Sequence, residues 1–453
     1  MITKKQLSFI DLFAGAGGLS EGFIQAGFTP VAHVEMNPYA CQTLETRAAY
    51  HYLKSQGREA LQSYYDYERG IITREQLFEQ VPQEERESVI NKEMSSKTAK
   101  SIYHKIDHLM EHKGINHVSV IIGGPPCQAY SLVGRAQTNH MLRPMEEDPR
   151  NELYKQYVNF LKRYEPEMFV FENVQGITSA RNGEAFADLQ RELNRIHYTF
   201  ECHIQNAQTF GVMQNRKRMI IIGWRQGTEH FYPEFEQQEI HSVVWDLLSD
   251  LPQVERGGQA FEYASPYDES SAYVRAHNLR TEDDVLTLHK ARIHNERDVE
   301  IYRRTINAWF HNNEHQRLHY NELPDDLKTH HNQTSFVDRF KVIEADTNAC
   351  HTVLAHLAKD GHYFIHPDIN QCRSITVREA ARLQTFPDNY YFEGNRSAQF
   401  TQIGNAVPPM MAHGIAQKIR QQLCGEQRII AAGIINIEGN EEIPQNIYIG
   451  AAI

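Results

Sequence analysis

One cysteine stands in a stretch of sequence that is suited to present a thiol to a substrate. Residues 123–131 read Gly-Gly-Pro-Pro-Cys-Gln-Ala-Tyr-Ser, directly after the apolar run 118–122. The run predicts a short buried strand, and two glycines followed by two prolines predict a fixed turn. A buried, inert thiol is the alternative, because most free cysteines are buried and unreactive. We interpret Cys127 as a candidate nucleophile at the end of a strand.

A second candidate site lies near the start of the chain. Residues 11–18 read Asp-Leu-Phe-Ala-Gly-Ala-Gly-Gly, between a predicted strand (7–12) and a predicted helix (19–26). Glycines here would let a nucleotide approach the backbone closely, although such a segment can also be a simple tight turn. Glu35 ends the next predicted strand (31–35), where a carboxylate can accept hydrogen bonds from ribose hydroxyls. Ser20 stands where a dinucleotide fingerprint that begins at Gly15 requires glycine, which disfavours an oxidoreductase.

Two further segments place charged side chains beside predicted strands. Glu172 follows the apolar residues 168–171 and is either a catalytic carboxyl or a structural cap. Residues 214–218 read Gln-Asn-Arg-Lys-Arg and precede the apolar run 219–223. Alternate residues of an extended segment point the same way, so Arg216 and Arg218 would share a face. Two guanidinium groups suit a base carbonyl and a phosphate, whereas the alternative is a solvated basic run.

The elements around these residues predict an α/β fold with a doubly wound, mostly parallel sheet. Residues 1–227 form the predicted catalytic domain, and residues 48–105 read as a helical insertion outside the sheet. Residues 228–345 are rich in His, Asn, Tyr and Arg and are predicted to form a smaller second domain with a helix near 298–310. Residues 346–425 return to the first domain, and the tail 426–453 is expected to add a strand or hairpin.

Six blocks in order resemble the DNA (cytosine-5) methyltransferase family, and the absence of flanking regulatory domains resembles its bacterial restriction-modification members. The blocks are residues 11–18, 124–128, 171–174, 214–218, 373–387 and 402–409. The resemblance extends over roughly 1–45, 118–224 and 345–420. It implies a Rossmann-like methyltransferase fold, S-adenosyl-L-methionine as cofactor and a target-recognition domain at 228–345.

The resemblance also implies a role for each matched residue. Cys127 would add to carbon 6 of a flipped cytosine, and a protonated Glu172 would hydrogen-bond ring nitrogen 3. The catalytic set is Cys127, Glu172, Arg216 and Arg218. The expected cofactor contacts are Asp11, Phe13, Ala14, Gly15, Gly17, Gly18, Leu19, Glu35, Met36, Pro126, Asn405 and Val407. The expected substrate contacts are Gln128, Ser131, Arg135 and Asn173.

Two details depart from the family pattern. Tyr130 replaces the more usual phenylalanine, and the acid expected near the adenine has no clean counterpart, with Asp107 as the candidate. Residues 131–151 resemble the loop that closes over the flipped base. The expected partner is double-stranded DNA, and a monomer is expected. A cognate restriction or defence system is a further possible partner.

Composition limits the alternatives. The 453 residues are 41% hydrophobic and 23% charged, with a net charge of −12. That charge argues against nucleic acid unless basic residues gather on one surface. Six scattered cysteines without a C-x-x-C pair fit a cytoplasmic protein with no zinc site, and no membrane segment or signal peptide is predicted. An RNA cytosine methyltransferase and a non-catalytic DNA-binding accessory protein remain the alternatives.

Overall fold

The computed structural model describes residues 6–125, 153–173, 184–311, 315–329, 337–425 and 448–449. Five predicted site residues lie outside these ranges, namely Pro126, Cys127, Gln128, Ser131 and Arg135. Within the part of the chain that the structure describes, no helix is long and apolar enough to cross a membrane.

The strands form one large sheet and one short ladder. In chain order they are β1 Ser8–Leu12, β2 Thr29–Glu35, β3 Val89–Asn91, β4 Val120–Gly123, β5 Met168–Asn173, β6 Tyr198–Asn206, β7 Gln214–Asn215, β8 Lys217–Arg225, β9 Cys350–His351 and β10 Tyr448–Ile449. The large sheet has the order β10-β6-β8-β5-β4-β1-β2-β3, and β7 pairs with β9. Neighbours from β3 to β5 are parallel, whereas β8, β6 and β10 pair antiparallel.

Helices cover both faces of the sheet. They are α1 Gly18–Gln25, α2 Pro38–Gln56, α3 Arg58–Glu68, α4 Arg74–Phe78, α5 Gln83–Glu87, α6 Ala99–His112, α7 Leu153–Tyr164, α8 Glu184–Arg195, α9 Ala272–Ala276, α10 Glu296–Phe310, α11 Val377–Leu383, α12 Arg396–Asn405 and α13 Pro409–Leu423. Successive residues of a strand point to opposite faces. Phe9 therefore packs with α1 and α13, while Ile10 and Leu12 pack with α6 and α7. The predicted doubly wound α/β fold is confirmed.

The prediction for residues 48–105 was wrong in one respect. Helices α3, α4 and α5 do lie there, but β3 lies there too and pairs parallel with β2, with Val89 opposite His33. Only Val89 and Ile90 of this strand are apolar and buried, flanked by charged residues, so its apolar signal is too short to detect. The segment therefore supplies the edge of the sheet as well as a helical insertion.

The predicted second domain shares its core with the segment that follows it. Val244, Leu247 and Leu286 pack in one cluster with Ile375 and Phe400. The predicted limit near residue 345 therefore runs through a continuous hydrophobic core. At the far end of the chain, β10 pairs with Glu201 and Cys202 of β6, which confirms the added strand, while most of the tail lies outside the described residues.

Candidate active site

Two groups of predicted residues meet where the parallel strands end. The first is the glycine turn after β1. Gly15 has a φ of +55° and an added Cβ there would meet nothing within 4 Å, so this position is open to a ligand. Gly18 differs, because an added Cβ would lie 2.3 Å from the carbonyl oxygen of Val407. The turn therefore uses one glycine for an open surface and another for close packing.

Glu35 is held against this turn by main-chain groups alone. Its Oε2 accepts a hydrogen bond from the Gly15 N–H at 2.8 Å. Its Oε1 accepts from the N–H groups of Met36 and Asn37 at 2.9 and 2.7 Å. Met36 follows with 60% of its surface exposed, an unusual fraction for an apolar side chain. The carboxylate and the apolar side chain therefore stand side by side at the opening of the turn.

Asp11 lies beneath the same turn. It is only 1% exposed, and no described residue bonds its Oδ2. Burial raises the pKa of this carboxyl well above its ordinary value, and the charge of Glu35 raises it further. A buried oxygen without a protein partner is costly, so a ligand that carries N–H donors is the natural group to satisfy it.

Four other predicted cofactor residues contribute through packing or position. Leu19 and Val407 are buried in the apolar layer between the sheet and α13, so their side chains support the turn from below. Phe13 has a φ of +58°, which turns the chain out of β1. Asn405 is exposed at the end of α12, close to this packing.

The acid expected near the adenine is not Asp107. Asp107 lies on α6, where it pairs with Arg163 and accepts a hydrogen bond from Tyr164 at 3.1 Å. Those two residues end α7 just before β5 begins. Asp107 therefore lies where the parallel strands begin, away from the carboxyl ends that hold the glycine turn. Asn91, which sequence reasoning missed, ends β3, and its amide donates to the Met36 carbonyl at 3.2 Å. The apolar pair Val89–Ile90 before it is too short to have marked a strand end in the sequence.

The second group of residues gathers where β4 and β5 end. Gly124 follows β4, and an added Cβ would lie 2.7 Å from Oε2 of Glu172. The side-chain amide of Asn173 donates to the Pro125 carbonyl at 3.4 Å. Asn173 is buried and positions this loop, and its expected contact with substrate stays a prediction. The start of the loop that leads to Cys127 is therefore fixed against Glu172.

Glu172 is a carboxyl with 14% of its side chain exposed, and Arg218 is its ion-pair partner. Its Oε1 lies 3.0 Å from Nε of Arg218. Burial raises the pKa of Glu172, although the charges of Arg218 and Arg216 act in the opposite direction. Burial prevails, so the protonated form of this carboxyl is favoured at higher pH than for an ordinary glutamate. The site thus provides a carboxyl that can donate a hydrogen bond.

Arg216 does not share the position of Arg218. It is fully buried, and its Nη1 donates to the Val353 carbonyl at 2.8 Å. Its Nη2 donates to the carbonyls of Gly404 and Ala406 at 3.2 and 2.8 Å. The expectation that both guanidinium groups contact substrate was wrong for Arg216, because these carbonyls hold it inside the protein. Its charge still reaches Glu172, so it is a positioning residue.

Gln214 and Arg216 together form a buried clamp on the main chain of Val353, and sequence reasoning missed the part of Gln214. Its Oε1 accepts from the Val353 N–H at 3.0 Å, and its Nε2 donates to the Leu383 carbonyl at 2.9 Å. Gln214 therefore binds the main-chain N–H of Val353, and Arg216 binds its main-chain carbonyl. Beside them, Thr352 Oγ1 donates to the Asn215 carbonyl at 2.6 Å. These bonds tie the start of β8 to the segment that follows the predicted second domain.

A doubly wound sheet with a glycine turn and a strand-end carboxylate is an architecture in which nucleotides bind at the carboxyl ends of the strands. The chain belongs to the C-5 cytosine-specific DNA methylase family, whose model matches residues 7–59 and 74–421. It is a DNA (cytosine-5) methyltransferase of the bacterial restriction-modification type.

The most similar proteins support that assignment over most of the chain. The type II methyltransferase M.Bpa9945I of Bacillus paralicheniformis is 41% identical and covers 92% of this chain and 99% of its own length. M1.HphI of Haemophilus parahaemolyticus is 29% identical over 92% of this chain and 88% of its own. A prophage-encoded DNA modification methyltransferase structure from Escherichia coli shares the fold, with a TM-score of 0.60 and 20% identity over 92% of this chain and 99% of that one.

Proposed function

We propose that this enzyme methylates carbon 5 of cytosine within one short sequence of double-stranded DNA. The nucleophile is Cys127, and the methyl donor is S-adenosyl-L-methionine. The observation that carries the proposal is the Glu172–Arg218 pair, packed against Gly124 three residues before Cys127. A cysteine cannot reach the face of a base that is stacked inside a duplex, so the cytosine is flipped out of the stack.

The chain's own groups account for each step at the base. The Cys127 thiolate adds to carbon 6, and the protonated Glu172 donates to ring nitrogen 3, where negative charge develops. Arg218 holds Glu172 and faces the base carbonyl. After methylation, a water molecule takes the proton from carbon 5, and the electron pair of that bond forms the double bond between carbons 5 and 6. The bond between Cys127 and carbon 6 breaks with its electron pair on sulfur, and ring nitrogen 3 returns its proton to Glu172. The ring is then aromatic again and the thiolate is free.

The residues at the glycine turn fit the cofactor. S-adenosyl-L-methionine supplies an electrophilic methyl group when it is bound. Glu35 would accept the ribose hydroxyls, and the unbonded oxygen of Asp11 would accept an amino group. Phe13 and Met36 would flank the adenine, with Asn91 at its edge. The open space at Gly15 leaves room for the ligand, and the backbone of Ala14, Gly17 and Gly18 shapes the turn.

The remaining sequence predictions stay part of the proposal. Gln128, Ser131 and Arg135 contact the DNA from the loop that follows Cys127, and Pro126 borders the cofactor. Residues 228–345 read the target sequence. The enzyme acts as a cytoplasmic monomer beside a cognate restriction or defence system.

A covalent trap tests the step at Cys127. DNA fragments synthesised with 5-fluorocytosine replace the departing proton with fluorine, which cannot leave, so the adduct accumulates. We expect a complex that survives denaturation, requires S-adenosyl-L-methionine and maps by mass spectrometry to Cys127. Cys127→Ser should abolish it, while Cys202→Ser, a substitution in a buried β6 thiol away from the site, should not. An adduct on another residue, or trapping only on RNA, would overturn the proposal.

A further inference from the structure

Three exposed cations without an ion pair lie near α12. They are Lys290, Lys359 and Arg396. Two arginines of the same region are paired with acids, Arg256 with Glu296 and Arg280 with Asp250. No described acidic residue lies within ion-pair distance of the three cations. In a chain with a net charge of −12, unneutralised cations grouped in one place indicate an anionic partner.

Buried contacts fix Lys359 beside α12. An added Cβ on Gly404 would lie 2.1 Å from the Ala355 nitrogen, so residue 355 lies against the end of the helix. Arg292 then donates to the carbonyls of Leu357 and Lys359 at 2.6 and 2.8 Å, while its guanidinium lies over the Phe400 ring. The segment 355–359 therefore runs back along α12, from its end toward its start at Arg396.

Lys290 adds a third cation to the row that Lys359 and Arg396 form along α12. Two chain segments pair here, because the Ala291 N–H donates to the Gly258 carbonyl at 2.9 Å and Gly257 donates to the Arg292 carbonyl at 3.0 Å. Lys290 and Arg396 line one cleft of about 1100 Å³, with Arg69 from the end of α3. That part of the insertion lies within 60–73, which the family model does not match. The row and the cleft thus combine residues that the family model matches with Arg69, which it does not match.

The acids around this cleft oppose its positive charge to different degrees. Burial raises the pKa of Glu68 and of Asp284, so both carry less negative charge than exposed acids. Glu262 at the cleft and Asp360 beside Lys359 are exposed and remain the opposing charges. Phe261, 68% exposed, adds an unpartnered aromatic ring at the rim.

The row of cations begins next to the buried clamp formed by Gln214 and Arg216. The Gly404 carbonyl accepts from Arg216, which is near Glu172. Eight residues of α-helix separate Gly404 from Arg396, a length of about 12 Å. Each strand of a duplex carries one phosphate per 3.4 Å of axis, so this length corresponds to about three or four base pairs.

We propose that Lys359, Arg396 and Lys290 form a phosphate track for one strand of duplex DNA. The track binds the flank of the target over a length of about three to four base pairs. It sets the length of duplex that the enzyme needs and contributes affinity without reading sequence. The inference rests on the proposed function for the position of the flipped base, but its cations bind DNA whether or not methylation occurs.

Salt-dependent binding of the full-length protein tests the track. The probes are a duplex of about 30 base pairs and the same duplex trimmed to about two base pairs on each side of the mapped target, or a random sequence if no target is found. The variants are Lys359→Gln, Arg396→Gln and Lys290→Gln. The control is Lys162→Gln, an exposed lysine of α7 at the opposite sheet edge.

We expect each track variant to raise Kd on the long duplex by about 3–10-fold and to lower the salt slope by about 1. The single-turnover rate at saturating DNA should not change, and trimming should remove the difference from the wild type. Equal behaviour of the track variants and Lys162→Gln would overturn the proposal. So would weakened binding to an RNA duplex alone. Loss of methylation with the track effects intact would instead count against the proposed function.

Discussion

The cofactor half and the catalytic half of this site lie at one sheet edge but are built differently. Glu35 bonds to three main-chain N–H groups no more than 20 residues away along the chain. Arg216 bonds to carbonyls that are 137, 188 and 190 residues away. The carboxylate of the cofactor half is therefore held by local bonds, whereas the buried arginine of the catalytic half is held by segments from distant parts of the chain.

The difference predicts two kinds of failure. Damage to the cofactor half should weaken ligand binding and leave the rest of the protein intact. Damage to the buried clamp should lower stability and activity together. Arg216 and Arg218, only two residues apart, fall on opposite sides of this division, because one is fully buried and the other faces Glu172.

The largest expected effect belongs to Glu172→Gln. The amide cannot transfer a proton to ring nitrogen 3, so the single-turnover rate should fall by about 10²–10⁴-fold. Cofactor affinity and thermal unfolding should stay close to the wild type, because the change is nearly isosteric. Glu201→Gln on β6 is the matched control. A rate within a few-fold of the wild type would remove Glu172 from the chemistry.

Arg216→Met and Arg218→Met should separate structural from chemical loss. Arg216→Met leaves three buried carbonyls without their donor, so unfolding free energy should fall by about 3–5 kcal/mol, as judged by urea denaturation. Arg218→Met should lower the unfolding free energy by about 1 kcal/mol or less. It should nevertheless lower the single-turnover rate as strongly as Arg216→Met does. Equal stabilities for the two variants would contradict the division between the two arginines.

Glu35→Gln probes the cofactor half alone. Losing a charged acceptor should raise the Kd for S-adenosyl-L-methionine by about 10–100-fold, measured by calorimetry. The rate at saturating cofactor should remain that of the wild type. Asp107→Asn, at the other edge of the sheet, should leave this Kd unchanged. A lowered rate at saturating cofactor would show that the two halves are coupled.

The smallest expected effect is a shift in pH dependence. Burial raises the pKa of Glu172, so the active protonated form persists to higher pH than in an ordinary glutamate and is lost as pH rises through the raised pKa. The charge of Arg218 lowers this pKa, so Arg218→Gln should move the alkaline limb of the single-turnover profile to higher pH. A shift to lower pH would mean that another group controls the limb.

Sequence alone predicted the parts of the molecule that rest on local patterns. The strands that carry Asp11, Glu35 and Glu172 each showed a run of apolar residues, and a turn or charged residue marked its end. The roles of Arg216, Gln214 and Asn173 were not predictable, because burial depends on segments far away in the chain. Asp107 misled for the same reason, since its position on a helix does not reveal which sheet edge it occupies.

Bisulfite sequencing of unmethylated plasmid DNA tests the central claim most directly. The DNA is incubated with S-adenosyl-L-methionine and either the wild-type protein or Cys127→Ala. The account predicts protected cytosines in one short sequence context with the wild type and none with the variant. Absence of protection by folded, cofactor-binding wild-type protein, or equal protection by Cys127→Ala, would contradict it.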